Sequence, residues 1–276
     1  MIRFSLKCSQ DHSFESWFQS SEAYENLAAA GMLSCIDCGD SRIVKSLMTP
    51  KLSSIKTKSE TSLTAPKSDK EKDLAKLNSN TAMHSMALIR FGRFDEVLDI
   101  TEPPTGEINI SMYDFSHGYA ALKSGDTGKA RKAMQSLKEL TETTTARFRF
   151  HAGKDVVGAL AGILEGEIAW SEGDIEAAAE AFRLAIDYYD NLNYDEPEPL
   201  PFSPRHWLGA AYIELQAYDS ALEVYRQDLS EHPQNVWSLF GIQQALKMME
   251  EFDPVIDKDL FEALSYADIW MLSTKY

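Results

Sequence analysis

Small residues at fixed offsets from a series of turns most narrow what this chain can fold into. Gly118, Gly166 and Gly209 each stand seven residues before a turn position; twelve residues after them come Ala130, Ala178 and Ala221, and four further on Met134, Phe182 and Tyr225. Small residues let the two helix backbones of a hairpin meet, and the large one fills the space between hairpins. The turn positions are Gly92, Gly125, Gly173 and Gln216, in "FGRF", "SGDT", "EGDI" and the degenerate "LQAYD", at spacings of 33, 48 and 43 residues. Asp126 and Asp174, directly after their glycines, suit the N-caps of second helices. The fold class expected is mostly α, a solenoid of about four helical hairpins over residues 77–276.

The clearest unit is "WLGAAYIELQAYDSALEVYRQDLSEHP", with Leu208, Gly209, Tyr212, Ala221, Tyr225 and a terminating Pro233. It resembles a tetratricopeptide repeat, whose period is about 34 residues. A partial hairpin follows in "NVWSLFGIQQALKMM", and "DKDLFEALSYADIWML" suits a capping helix. In the earliest unit, "TAMHSMALIRFGRFDEVLDI", Pro103 and Pro104 cut the second helix short. Four prolines in "NLNYDEPEPLPFSPRHW" forbid a continuous helix and enlarge the spacing before Gln216. Residues of roughly 80–270 resemble a bacterial tetratricopeptide family with such an acidic, proline-rich loop, and that resemblance implies no activity. Arrays of this kind bind extended peptides on the inner, concave side. Counting from the packed glycines, Phe115, Tyr119, Glu167, Trp170, His206 and Ile213 are the groove candidates.

A different chemistry opens the chain. Cys8 and His12 stand in "KCSQDHSF", Cys35 and Cys38 in "LSCIDCGD", and the three cysteines are the whole complement. Two short ligand pairs on separate turns are how small ribbons hold zinc, which binds thiolate and imidazole tetrahedrally. A module of about 48 residues has a small core, so a structural metal supplies folding energy that burial barely provides. The alternatives are inert thiols without metal, or a redox pair of Cys35 and Cys38; the latter lacks the helix start within a βαβ pattern that such pairs use. Strand character appears in "IRFSLKC" and "RIVKSLM", and a short helix in "SSEAYENLAAAG". Together "MIRFSLKC", "FESWF" and "GMLSCIDCGDSRIVKSLM" resemble the start of the bacterial family called domain of unknown function 1178. By that similarity the four ligands carry over to Cys8, His12, Cys35 and Cys38.

Between the modules, "TPKLSSIKTKSETSLTAPKSDKEKDLAK" is rich in Ser, Thr, Lys and Pro with little to bury. The expected organisation is a zinc-ribbon-like module at 1–48, a flexible linker at 49–76 and the repeat domain at 77–276. The formal charge of −16 falls mainly on residues 77–276, which carry about −17. That field repels phosphate backbones and suits a basic protein or peptide. No apolar stretch reaches signal-peptide or membrane-spanning length, so a cytoplasmic chain without membrane contact is expected.

No H-E-x-x-H, G-x-S-x-G, P-loop or dinucleotide fingerprint occurs. The expectation is a non-catalytic interaction scaffold with one structural Zn2+ per chain. The second reading is a nucleic-acid-binding ribbon, aided by seven linker lysines, with the repeats as sensor or dimerisation arm. A third, an enzyme, needs a pocket of convergent polar groups in the array or its proline-rich loop.

Overall fold

The structure is a computed structural model and describes residues 2–10, 12–18, 20, 24–25, 27–28, 33, 35, 38, 40–45, 81–265, 267, 271 and 273–276. The linker expected at 49–76 lies outside these residues. The chain divides into two compact units, Met1–Thr64 and Ala65–Tyr276.

In the first unit β1 (Ile2–Cys8) is the central strand, flanked by β2 (Ser13–Phe18) and β3 (Ile43–Lys45), both antiparallel to it. The alternation in β1 sends Leu6 and Cys8 to one buried face, against Tyr24, Cys35 and Ile43. Sequence reading found β1 and the short β3 but took "FESWF" only as a family signature; it is β2.

The second unit is helical. Its first hairpin joins α1, which includes residues 81–90, to the five-residue α2 (Phe94–Leu98), short as the double proline requires. Then come α3 (Glu107–Lys123) with α4 (Thr127–Thr143), α5 (Gly153–Ser171) with α6 (Ile175–Tyr189), α7 (Arg205–Glu214) with α8 (Tyr218–Glu231), and α9 (Val236–Met248) with α10 (Pro254–Leu264). Between α4 and α5 sits a small hairpin, β4 (Arg147–Phe148) and β5 (His151–Ala152), the insertion behind the 48-residue spacing.

The small residues let helices approach closely, Gly118 against Ala133 and Leu164, but the large residue expected between hairpins packs within its own at Gly166 and bridges to the next only at Tyr225. A Cβ at Gly166 would fall inside the Phe182 ring, and one at Gly209 or Gly241 inside the Tyr225 ring. Each aromatic thus occupies the space that a missing side chain leaves on the facing helix. Asp126 and Asp174 cap α4 and α6, accepting from the N–H of Lys129 at 3.0 Å and of Ala177 at 2.9 Å. α5 is apolar nearly all round and buried through Val156, Val157, Leu160, Ile163 and Leu164, as suits a helix with neighbours on every side.

Candidate metal cluster and inner face of the array

The turn from β1 to β2 carries Cys8 and His12 and is closed by the Cys8 N–H donating to the His12 carbonyl at 3.1 Å. The second loop carries Cys35 and Cys38 and is closed by the Cys35 N–H on the Asp40 carbonyl at 2.9 Å. Asp40 then ties the loops together. Its carboxylate accepts from the Ser9 hydroxyl, the Ser9 N–H at 3.1 Å and the Arg42 N–H at 3.1 Å. Those hydrogen bonds, Ser9's first, hold its carboxyl down to about 2.

One ligand atom from each of Cys8, His12, Cys35 and Cys38 lies within 4.8 Å of the others, and the group could hold a metal ion. Cys8 Sγ is 3.7 Å from Cys38 Sγ, and Cys35 Sγ is 3.8 Å from His12 Nδ1. A tetrahedral zinc with Zn–S near 2.3 Å sets neighbouring sulfurs about 3.8 Å apart. A disulfide needs about 2.05 Å. At Cys38 the Asp40 backbone favours the thiolate, but desolvation and the neighbouring Cys35 and Cys8 outweigh it and push the thiol up to about 11. Crowded thiols shed their protons readily only with a cation among them.

In the array, the groove candidates fall on the first helices of hairpins: Phe115 and Tyr119 on α3, Glu167 and Trp170 on α5, His206 and Ile213 on α7. Phe115, Tyr119, Glu167 and His206, however, are buried, and only Trp170 and Ile213 are half-exposed. Four of the six groove candidates are thus covered by other parts of the chain. Phe115 and Tyr119 pack with Phe202 and Trp207 of the proline-rich stretch and α7, and Trp207 Nε1 donates to Tyr119 Oη at 3.1 Å. The chain's own residues 273–276 cover much of the rest.

That segment was missed in the sequence. Lys275 Nζ lies 2.8 Å from Glu167 Oε1 and 3.6 Å from the Trp170 ring centroid. Lys123 Nζ pairs with the other oxygen, Glu167 Oε2. Burial alone would raise the Glu167 carboxyl; the charges of Lys275 and Lys123 overcome it and keep the group below its ordinary range. Burial lowers Lys275 despite that partner. This face is therefore not simply acidic, since Lys123 and Lys275 flank one buried carboxylate and Arg90 donates to the main-chain carbonyls of Thr274 and Lys275.

Beside it lies a second buried network. Asp228 accepts from Ser238 Oγ at 2.6 Å, His206 Nε2 at 3.1 Å and His232 Nδ1 at 3.1 Å. Arg90 Nη2 is 3.0 Å from His206 Nδ1. Arginine only donates, so His206 accepts there and carries its proton on Nε2. Burial, with Arg90 beside it, lowers His206 to about 4, whereas hydrogen bonds to Asp228 and Glu198 raise His232 to about 10. Asp228 is held far below the carboxylate range, its hydrogen bonds outweighing burial.

The proline-rich loop borders a cleft of about 470 Å³ lined by Asp190, Asp195, Glu198 and His232 among others. Each acid has a partner: Asp190 pairs with Arg205 at 2.7 Å, Asp195 with Arg149 and His151, and Glu198 with His232 at 3.1 Å. No helix among the described residues is long and apolar enough to cross a membrane.

Residues 1–97 match the family described as "Protein of unknown function (DUF1178)". Residues 163–191 match a tetratricopeptide repeat. The first match runs past the 50 residues whose motifs carry the resemblance; the second takes in the end of α5, Gly173, Ala178 and Phe182. A solved structure described as "Crystal structure of MamA protein" is similar at 16% identity over 73% of this chain and 99% of that chain, with a TM-score of 0.38. No curated protein matches the chain.

Proposed function

We infer that the protein is a non-catalytic interaction scaffold: its helical array grips a protein or peptide partner, and a structural zinc on Cys8, His12, Cys35 and Cys38 holds the N-terminal module together. The observation that carries the reading is the inner face of tetratricopeptide-type hairpins, where first helices present Arg90, Lys123, Glu167 and Trp170 to a non-helical segment. Such arrays bind extended peptides on that side. The zinc half is supported by the S···S and S···N separations of 3.7 and 3.8 Å and by Asp40, which fixes the two ligand loops from outside the ligand set. Zinc, when bound, would supply folding energy to a three-stranded sheet with a small core. The metal belongs in this reading to the module at 1–48 and the partner to the array at 77–276; the cytoplasm, which keeps thiols reduced, suits these ligands.

The ribbon reading as a nucleic-acid binder gains little support. Arg42 is engaged by Asp40 and Ser9, and Lys45 lies over the Phe4 and Tyr24 rings near Glu25.

Affinity capture with the full chain and with a chain truncated after residue 76 tests the function. Partners are expected only with the full chain; retention of every partner by the truncated chain would overturn the reading.

A further inference from the structure

Three residues of the chain, Thr274, Lys275 and Tyr276, lie on the inner face in the manner of a bound ligand. The carbonyls of Thr274 and Lys275 accept from Arg90 Nη1 at 3.4 and 3.3 Å. Thr274 Oγ1 donates to the His206 carbonyl at 3.0 Å and accepts from Tyr225 Oη at 2.9 Å. The Lys275 side chain runs between the Trp170 ring and Glu167. Tyr276 meets Phe94 edge-on at 5.3 Å and 82°, with Lys123 Nζ 5.2 Å from its ring centroid. The contacts come from six helices, α1, α2, α3, α5, α7 and α8. Main-chain bonds plus a separate place for each side chain are how extended peptides are read.

The chemistry of the segment argues against a simple core filler. Thr274 and Lys275 are 1% and 7% exposed, so a hydroxyl and an ammonium are buried where a methionine or leucine would serve stability as well. Burying a lysine costs several kcal/mol unless a partner is placed for it. Glu167, itself 1% exposed, is that partner. A place built for a cation selects among peptides; it is a weak device for holding a core.

We propose that the inner face is a binding cleft for an outside peptide carrying Thr-Lys-aromatic in series, and that residues 273–276 are a built-in occupant which such a peptide displaces. The idea rests on the interaction reading above and adds the ligand chemistry and the competitor. A tethered occupant acts at an effective concentration of about a millimolar, so an outside peptide with the same contacts binds the intact chain far more weakly than an opened one.

The test uses a fluorescein-labelled peptide of sequence "MLSTKY" and its Lys→Glu counterpart, titrated by polarisation against the intact chain and full-length Lys275→Ala/Tyr276→Ala. The peptide is expected to bind the double variant at least tenfold more tightly than the intact chain, and the Lys→Glu peptide to bind neither. A folded double variant that ignores the peptide overturns the proposal. Should the variant not fold, hydrogen exchange of residues 273–276 in the intact chain decides instead. Excess peptide should speed their exchange while leaving α3 and α5 protected, and unchanged protection marks the segment as fixed structure. If peptide-sensitive exchange is accompanied by a dimer that grows with chain concentration, the segment is traded between copies and the built-in occupancy is wrong. Failure here with array-dependent capture intact leaves the scaffold reading standing; loss of both removes it.

Discussion

Lys275 Nζ lies 2.8 Å from Glu167 Oε1 across 108 residues of sequence, and both side chains are buried. The carboxylate is shared with Lys123, so the two ways of breaking the pair differ. Lys275→Ala leaves Glu167 with Lys123 and should cost about 2 kcal/mol in urea unfolding. Glu167→Gln leaves two ammonium groups facing each other with no anion and should cost about 3 kcal/mol or more. Equal losses, or a milder Glu167→Gln, would show that the carboxylate is not what holds the cations there.

The turn before α8 stores backbone strain. Gly125 and Gly173 have φ of +89° and +86°, and the equivalent residue is Gln216 at +58°. A side chain in the left-handed region costs about 1–2 kcal/mol, offset in part by the unfolded-state entropy a glycine adds. Gln216→Gly should therefore stabilise the protein by about 0.5 kcal/mol, seen as a small rise in Tm. Gly173→Ala, where an added Cβ meets nothing within 4 Å, should destabilise by about 1 kcal/mol through backbone alone.

Two histidines on Asp228 give stability opposite slopes on either side of their ordinary value of 6.5. His206, lowered to about 4, stays neutral in the fold while its unfolded counterpart takes a proton. Stability from this group falls as pH drops from 6.5 towards 4. His232, raised to about 10, keeps its proton in the fold. Its contribution is complete below 6.5 and is lost as pH rises towards 10. Unfolding free energy should thus peak near pH 6.5, and His232→Gln should flatten the alkaline limb only. An alkaline limb unchanged in that variant would remove His232 from the account.

Metal removal should act on one unit alone. Chelation, or Cys35→Ser with Cys38→Ser, should abolish hydrogen-exchange protection in β1 and β2 and leave the helical circular dichroism of the array intact. Elemental analysis should find one zinc per parent chain and none in the variant. Full strand protection in metal-free protein would contradict the zinc reading.

What could be read from the sequence was local. Gly166 and Phe182, or Gly209 and Tyr225, lie within one hairpin, so their pairing shows as a spacing; the caps Asp126 and Asp174 and the pairs Cys8/His12 and Cys35/Cys38 do so for the same reason. The groove candidates fell on first helices of hairpins, as their offsets from the turns implied. Their burial did not show, because what covers them comes from far along the chain: Arg90 meets Thr274 across 184 residues, and a lysine near the end of an acidic chain reads as solvated. Asp228 was hidden too, since an aspartate on an amphipathic helix looks exposed until the residues facing it are known. The β4–β5 hairpin, two residues per strand, is too short to leave a periodicity.

Partner position is the most direct check on the interaction role. A photo-reactive residue placed at Glu214 on α7, close enough to influence Lys275, should capture partner protein, while one at exposed Glu139 on α4 should not. Capture at 139 with none at 214 would put the partner on the opposite side of the hairpins and contradict the inner-face reading.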